Sequence, residues 1–244
     1  MNELLIEDLD AVRVLRMNRP DKHNALNTAL TRSLLDALRQ ADRDASVRAV
    51  VLAGNGKSFC AGADTKEFAG LTAQHADAVL QRAELTTELH LAFSRIGKPV
   101  VSAVQGNALG GGAGLALACD MAVMATDVRF GYPELRHGIV AAVVMANLVR
   151  QVGRKQAFEL VAMAEPVDGA RALALGLANR VVPADQVLQA ALALAQRMAG
   201  WDPAAMKLTK RSFHRVADLA LQEALAVGRD ANTIMRSFGQ GGGQ

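Results

Sequence analysis

Short apolar runs alternate with longer amphipathic segments along most of this chain. Residues 4–8 and 11–17 alternate apolar and polar positions on either side of a turn, which predicts a β-hairpin. Residues 49–53 and 100–104 are uninterrupted apolar runs, typical of strands buried on both faces. Further strands are predicted at 121–125, 128–131 and 177–182, and helices at 28–41, 70–96, 112–119, 143–152, 155–164, 168–173 and 184–237, the last broken near 201–203. Asn27 or Thr28 can cap the first of these helices. This alternation predicts an α/β fold.

Three consecutive glycines, Gly110, Gly111 and Gly112, stand between the predicted strand 100–104 and a short apolar helix. Glycine accepts positive φ and lets a ligand approach the main chain, and the helix N-terminus beyond adds a positive dipole, so the turn favours an anion. Neither common phosphate motif fits this turn: no G-x-G-x-x-G can be placed on it, and Gly112 stands where a P-loop needs lysine. The remaining interpretation is an oxyanion that develops on a carbonyl group.

A second turn of small residues follows the apolar run 49–53. It contains Ala61-Gly62-Ala63 and leads toward a helical segment, so each of the two turns could supply one backbone N–H. Two such donors form the usual oxyanion hole for an acyl group. In a third segment, Pro133 restricts φ and presents the carboxylate of Glu134 from a loop. An oxyanion hole with one carboxylate base predicts enolate chemistry.

Several motifs that are far apart in the chain together resemble one known family. They are R-P-D-K-H-N-A at 19–25, F-C-A-G-A-D at 59–64, A-L-G-G-G-A at 108–113, A-C-D at 118–120 and F-G-Y-P-E at 130–134. Their types and order resemble the crotonase superfamily, the enoyl-CoA hydratases and isomerases. The resemblance extends over roughly residues 1–200 and is far more specific than any one glycine cluster.

The resemblance implies a fold, a substrate and a set of site residues. The fold would be the family's spiral of ββα units followed by a C-terminal helical region, and the substrate an acyl-CoA thioester, with no cofactor beyond the CoA moiety. The backbone N–H groups of Ala63 and Gly111 would bind the thioester oxygen, and Glu134 would be the catalytic carboxylate. The substrate-binding residues would be Lys22, Ala61, Gly110 and Gly114, of which Lys22 resembles a CoA-contact position. The resemblance also favours a homotrimer or a hexamer.

One departure from the family pattern bears directly on the reaction. Hydratases of this family carry a second glutamate three residues after the oxyanion-hole glycine, and this chain has Gly114 there. A single carboxylate, Glu134, is better suited to moving one proton between two carbons than to activating water. The site therefore resembles that of the family's Δ3,Δ2-enoyl-CoA isomerases. The sequence of the expected pocket wall also differs from the family pattern, because residues 141–145 are A-A-V-V-M where hydratases usually have P-G-A-G-G.

Two alternatives to an isomerase stay open. One is an enoyl-CoA hydratase with an unconventional second acid, for which His137 or Asp64 would be the first candidates, although Asp64 is better read as a helix cap and His137 as a surface residue. The other is a non-catalytic acyl-CoA-binding subunit. The remaining histidines have no metal-ligand spacing, so no metal site is predicted.

Composition narrows the class of protein further. The chain has 244 residues, is 51% hydrophobic and 21% charged, and carries a net charge of +3, which suits a large core and a ligand with several phosphates. With 4% aromatic residues, it lacks the interleaved basic and aromatic pattern that favours nucleic acid. Cys60 and Cys119 fall in apolar motif segments, which predicts reduced core thiols. No apolar run reaches the length of a membrane span and no secretory signal is evident, so we expect a cytoplasmic protein.

The domain prediction divides the chain near Pro183. Residues 1–183 would form the acyl-CoA-binding core, and residues 184–244 a helical segment. The apolar positions of that segment need a partner surface, which could be its own core or another subunit.

Overall fold

The computed structural model describes residues 2–69 and 73–239. Its strands are β1 (Leu4–Leu9), β2 (Val12–Met17), β3 (Ala49–Gly54), β4 (Val100–Val104), β5 (Asn107–Leu109), β6 (Met121–Ala125), β7 (Arg129–Gly131) and β8 (Arg180–Val182). Its helices are α1 (Thr28–Arg43), α2 (Thr65–Phe68), α3 (Ala76–Arg95), α4 (Gly111–Ala118), α5 (Met145–Gln151), α6 (Arg154–Ala162), α7 (Gly169–Ala174), α8 (Val187–Ala199), α9 (Pro203–Val216) and α10 (Leu221–Gly239).

The main sheet has six strands in the order β1-β2-β3-β4-β6-β8. The β1–β2 hairpin is antiparallel, as predicted, and every other neighbouring pair in this sheet is parallel. All residues of β3 and β4 are buried, which explains their uninterrupted apolar sequence. The predicted α/β fold is therefore confirmed, with a mostly parallel sheet and a C-terminal helical region.

A second, two-stranded parallel sheet pairs β5 with β7. Neither its pairing nor strand β5 is indicated by the apolar pattern, because each strand is three residues long. The register places Leu109 opposite Gly131. This small sheet therefore brings the glycine turn after β5 beside the loop that follows β7.

Of the two predicted caps of helix α1, the structure selects Asn27, whose side chain accepts a hydrogen bond of 2.8 Å from the Leu30 N–H. The predicted helix 70–96 corresponds to α3, and its predicted first turn at 70–72 lies outside the described residues. The predicted strand 177–182 is shorter than expected, since only β8 pairs with β6.

The C-terminal segment forms three helices, α8 to α10. The predicted break near 201–203 is confirmed, since Asp202 caps α9 by accepting a hydrogen bond from the Ala205 N–H and Pro203 occupies the first turn. A second break, at 217–220, is not indicated by the sequence pattern. Helix α8 packs on the sheet and contributes Val187 and Ala191 to the same core. The division into two domains near residue 183 stays a prediction.

Candidate active site

Two turns that are far apart in sequence lie side by side in the structure. The segment after β3 runs parallel to β5, because the Cys60 N–H donates to the Asn107 carbonyl at 2.9 Å and the Leu109 N–H donates to the Cys60 carbonyl at 3.0 Å. A Cβ added to Gly112 would lie 2.1 Å from the Cys60 carbonyl oxygen, and Gly62 has φ of +100°. Glycine is therefore required at both turns for the two backbones to approach each other.

This approach leaves two backbone N–H groups close together. A Cβ on Gly111 would lie 3.7 Å from the Ala63 nitrogen, and one on Gly62 would lie 3.5 Å from the Gly111 nitrogen. No hydrogen bond within the described ranges uses the N–H of Ala63 or of Gly111 as donor. Two neighbouring donors without a protein acceptor, one of them in the first turn of α4, have the arrangement of an oxyanion hole.

Glu134 is brought to this turn by the second sheet. The loop after β7 contains buried Tyr132 and a short 3₁₀ turn over Pro133–His137. The Gly110 N–H donates to the Gly131 carbonyl at 2.8 Å, which holds that loop against the glycine turn. A Cβ on Gly110 would lie 2.7 Å from Oε1 of Glu134. The carboxylate therefore lies against Gly110, which is next in sequence to Gly111, the residue that carries one of the two free donors.

The environment of Glu134 is that of a proton carrier. Its Oε2 is buried and has no hydrogen-bond partner among the described residues. Burial raises the pKa of this carboxyl above its usual range, while its own backbone N–H and the nearby His137 oppose the rise. A raised pKa brings a carboxyl closer to the pH at which it can both accept and return a proton.

Gly114, the position of the absent second glutamate, is tightly packed. A Cβ there would lie 2.6 Å from Cγ1 of Val144 and 2.8 Å from Cε1 of His90. His90 is on α3, and its Nδ1 lies 3.4 Å from Nδ2 of Asn147 on α5. Its Nε2 is buried without a partner among the described residues, and burial lowers the pKa of the imidazole to about 4.

Sequence reasoning missed His90 as a site residue. It is 24 positions from Gly114 in the chain and belongs to none of the motifs. The indirect signal is the glycine itself, because a residue without a side chain in an otherwise apolar helix leaves room for a group from a neighbouring helix.

The loop that carries Lys22 lies next to the turn that contains Ala61. Lys22 is exposed and ends a short 3₁₀ turn, which is followed by His23 and Asn24 in left-handed conformations. The Ala61 N–H donates to the His23 carbonyl at 2.9 Å. Buried Asn24 donates from Nδ2 to the Ser58 carbonyl at 2.8 Å. The Lys22 loop is thus held against the first of the two turns.

Asp64 and His137 are poor candidates for a second acid. Asp64 caps α2 by accepting from the Lys66 N–H and forms an ion pair of 2.8 Å with Arg19, which holds the pKa of its carboxyl below its usual range. Its predicted role as a helix cap is confirmed. His137 is exposed on the outer end of the 3₁₀ turn.

The two cysteines are free, buried thiols, as predicted. Burial raises the pKa of Cys60 to about 12, so its thiol stays protonated at neutral pH. Across the described residues, no three His, Cys, Asp or Glu side chains are grouped as metal ligands would be. No helix in the described part of the chain combines the length and apolar character that crossing a membrane would require.

Comparisons with known proteins identify the family of this chain. Residues 7–237 match the family model of enoyl-CoA hydratase/isomerase, and the chain therefore belongs to that family. It is 36% identical over 236 residues to 2,3-dehydroadipyl-CoA hydratase of Escherichia coli, covering 96% of this chain and 91% of that protein. The expected membership of the crotonase superfamily is confirmed.

Two solved structures show how closely the fold agrees. The crystal structure of an enoyl-CoA hydratase of Mycobacterium smegmatis matches with a TM-score of 0.92 at 33% identity, covering 96% of this chain and 91% of that one. A monofunctional enoyl-CoA isomerase from the same organism matches with a TM-score of 0.78 at 31% identity, covering 92% of this chain and 98% of that one. These matches support the family assignment. The matched proteins include both hydratases and an isomerase, so the matches do not choose between the two reactions.

Proposed function

We propose that this protein stabilises the enolate of an acyl-CoA thioester and uses it to interconvert Δ3- and Δ2-enoyl-CoA. The observation that carries the proposal is the contrast between Glu134 and Gly114. Glu134 lies against Gly110 with a raised pKa, whereas Val144 and His90 fill the space where a side chain at Gly114 would begin. One carboxylate beside two free N–H donors supports moving a proton more directly than activating water.

In this mechanism the thioester oxygen accepts hydrogen bonds from the N–H groups of Ala63 and Gly111. Ionised Glu134 removes a proton from C2 of the 3-enoyl thioester, and the negative charge of the dienolate moves onto the thioester oxygen. The two donors and the N-terminus of α4 stabilise that charge. Glu134 then returns the proton to C4, which leaves the double bond between C2 and C3. The step needs no cofactor beyond the CoA moiety of the substrate.

The substrate-binding residues follow from the same arrangement. Lys22 would contact the CoA moiety from its exposed loop, and Ala61 would line the path from that loop to the oxyanion hole. Gly110 would let the Glu134 carboxylate lie against the turn beside the acyl group, and Gly114 would leave room for Val144 and His90 along the same pocket. The homotrimer or hexamer and the cytoplasmic location stay predictions.

A hydratase is the second candidate, and the relatives that are named hydratases favour it. The deciding measurement compares two reactions of the wild-type protein on acyl-CoA substrates of one chain length. Isomerisation of 3-enoyl-CoA is followed by the appearance of conjugated enoyl absorbance, and hydration of 2-enoyl-CoA by its loss. We expect isomerisation to be much the faster, and hydration that equals or exceeds it would contradict the isomerase proposal.

Turnover of either substrate in these assays would exclude the third candidate, a non-catalytic acyl-CoA-binding subunit. Thermal shift assays test the ligand class separately. A CoA thioester should raise the melting temperature more than NAD or ATP at the same concentration, because only a ligand of the native state stabilises it by mass action. A larger shift with either nucleotide would count against the CoA assignment.

A further inference from the structure

The direction of the Ala63 N–H is fixed by the pairing of Ala63 with Leu26. These residues form a parallel β-bridge, in which the Leu26 N–H donates to the Gly62 carbonyl at 2.7 Å and the Leu26 carbonyl accepts from the Asp64 N–H at 3.0 Å. The Gly62 carbonyl and the Ala63 N–H belong to one planar trans peptide group, so they point in opposite directions. Because this carbonyl points at Leu26, the Ala63 N–H points away from Leu26.

Leu26 also lies against the second donor. A Cβ added to Gly111 would lie 3.2 Å from Cδ1 of Leu26, which is buried. The backbone of Leu26 therefore holds the peptide group of the Ala63 donor, and its side chain packs against the residue that carries the other donor. A displacement of Leu26 would change the spacing of the two N–H groups, and a hydrogen bond to an oxyanion depends steeply on distance and angle.

The carbonyl of Leu26 is held by Arg82 on α3, which is 7% exposed. Its Nη2 donates to the Leu26 carbonyl and to Thr31 Oγ1, each at 3.1 Å, and its Nη1 donates to Thr86 Oγ1 at 2.5 Å. Both hydroxyls are free to accept, because they donate their own protons to the carbonyls of Asn27 at 2.7 Å and of Arg82 at 2.9 Å. The planar guanidinium is therefore fixed in one orientation, with one donor directed at Leu26.

A carboxylate on α2 compensates the buried charge of Arg82. Burial lowers the pKa of the guanidinium, and the nearby Glu67 carboxylate opposes that fall. Glu67 also accepts a hydrogen bond of 2.8 Å from the Thr28 N–H, in the first turn of α1. Arg82 and Glu67 thus connect α1, α2 and α3 next to the Ala63 turn. Arginine stays charged throughout the pH range in which proteins are folded, so this connection does not titrate.

We propose that Arg82 is a positioning residue of the oxyanion hole, which holds the Ala63 N–H in place by donating a hydrogen bond to the Leu26 carbonyl. That carbonyl accepts from Arg82 and from Asp64 together, which uses both of its lone pairs. The inference rests on the proposed function, because it takes Ala63 and Gly111 as the donors to the thioester oxygen. Arg82 acts through Leu26 and does not itself contact the substrate.

Two substitutions at Arg82 test this role. Arg82→Met removes the donors and keeps a long side chain, whereas Arg82→Lys keeps the charge and an N–H donor. The matched control is Arg39→Met, which breaks an ion pair of 3.1 Å between Arg39 on α1 and Glu88 on α3. Arg39 and Arg82 both join α1 to α3, but the Arg39 pair is exposed and Arg82 is buried against Leu26.

We expect Arg82→Met to lower isomerisation kcat about 10²-fold per folded molecule, the loss typical of a group misplaced by about 1 Å. KM should change only a few-fold, because the hydrogen bond to the oxyanion is strongest in the transition state. Arg82→Lys should recover part of the loss, and Arg39→Met should keep wild-type kcat. Wild-type kcat in folded Arg82→Met would overturn the inference, as would a loss that Arg39→Met reproduces.

A double substitution shows whether Arg82 acts through the Ala63 donor. Proline at position 63 has no N–H, so adding Arg82→Met to Ala63→Pro should lower kcat only a few-fold further. If the two losses multiply, Arg82 and Ala63 act independently, and the inference is overturned.

Binding of a saturated acyl-CoA labelled with ¹³C at the thioester carbon gives a readout without turnover. Hydrogen bonds polarise the thioester carbonyl and lower its infrared stretching frequency. We expect the full decrease in the wild-type protein and in Arg39→Met, and a smaller one in Arg82→Met. Equal decreases in the wild-type protein and Arg82→Met would overturn the inference alone, whereas no decrease in the wild-type protein would overturn the proposed oxyanion hole and the function built on it.

Thr31→Val provides the same test if Arg82→Met does not fold. Thr31 is 1% exposed, and valine keeps the shape of the side chain while removing one acceptor of Arg82. We expect a several-fold lower kcat and a smaller decrease of the carbonyl frequency on binding. Wild-type values of both quantities in Thr31→Val and in Arg82→Lys would overturn the inference.

Discussion

The buried polar groups at the two ends of helix α4 differ in whether they have hydrogen-bond partners. At the N-terminal end, Glu134 Oε2 and His90 Nε2 are buried, and the described residues give neither of them a partner. At the C-terminal end, both oxygens of Asp120 are satisfied: Oδ2 accepts from the Val100 N–H and from Nζ of Lys210, each at 2.7 Å, and Oδ1 lies 2.9 Å from Nε2 of His214.

This difference indicates that the N-terminal end of α4 is a site for a ligand, whereas the Asp120 end is a structural connection. An unsatisfied buried donor or acceptor costs about 1–3 kcal/mol, which a bound ligand can recover. The Asp120 cluster instead connects the start of β4 to helix α9 through Lys210, which is 5% exposed. Substitutions at the N-terminal end should therefore change activity more than stability, and those at Asp120 should do the reverse.

The largest effect is expected for Glu134→Gln. Losing the proton carrier should lower isomerisation kcat by about 10²- to 10⁴-fold. The raised pKa means that the fold favours the neutral carboxyl, so ionised Glu134 reduces stability as pH rises through that pKa. Glutamine removes this cost, and the melting temperature at neutral pH should stay the same or rise. In the wild-type protein, kcat/KM should fall as pH decreases through the raised pKa, because the base must be ionised.

Glu84→Gln is the matched control for that substitution, since Glu84 is exposed on α3. It should leave both turnover and its pH profile unchanged. Wild-type turnover in a folded Glu134→Gln variant would remove Glu134 from the mechanism.

At the opposite end of α4, Asp120→Ala should lower the free energy of unfolding by roughly 3–5 kcal/mol, because it leaves the Lys210 ammonium buried without its carboxylate. Turnover per folded molecule should change little. The control is Asp218→Ala, which breaks an exposed ion pair of 3.3 Å with Arg150 and should cost about 0–1 kcal/mol. Equal losses in chemical denaturation would show that the Asp120 cluster has no special structural role.

The backbone donor is tested by Ala63→Pro, which deletes one N–H of the proposed oxyanion hole. We expect kcat to fall about 10²- to 10³-fold. Ala63→Gly keeps the N–H and should retain most of the activity, which separates loss of the donor from loss of the methyl group. A folded proline variant with wild-type kcat would mean that the donor is wrongly assigned.

The smallest effect concerns packing at Gly114. Gly114→Ala places a Cβ against Val144 and His90, and we expect it to lower the free energy of unfolding by roughly 1–3 kcal/mol. Gly228→Ala is the control, because a Cβ at this position in α10 has no neighbour within 4 Å among the described residues, and alanine should stabilise the helix by about 0.5–1 kcal/mol. Urea denaturation of both variants measures the difference, and equal effects would show that Gly114 is not tightly packed.

The sequence alone determined the features that depend on local chemistry. Apolar runs predicted strands β3 and β4, a polar residue at 27 or 28 predicted the start of α1, and the glycines at 110–112 predicted a turn with positive φ. Ordered motifs predicted the family. These properties are readable because strand burial, helix capping and glycine conformation are decided within a few residues of each other.

Only the tertiary structure decided which distant groups meet. It placed His90 against Gly114, Asp120 between Lys210 and His214, and Asp64 in an ion pair with Arg19. Each of these contacts joins residues from separate segments, so no local pattern of apolar or polar positions encodes it. The choice of partner follows from how helices pack on the sheet, which depends on the shape and volume of the whole core rather than on any one segment.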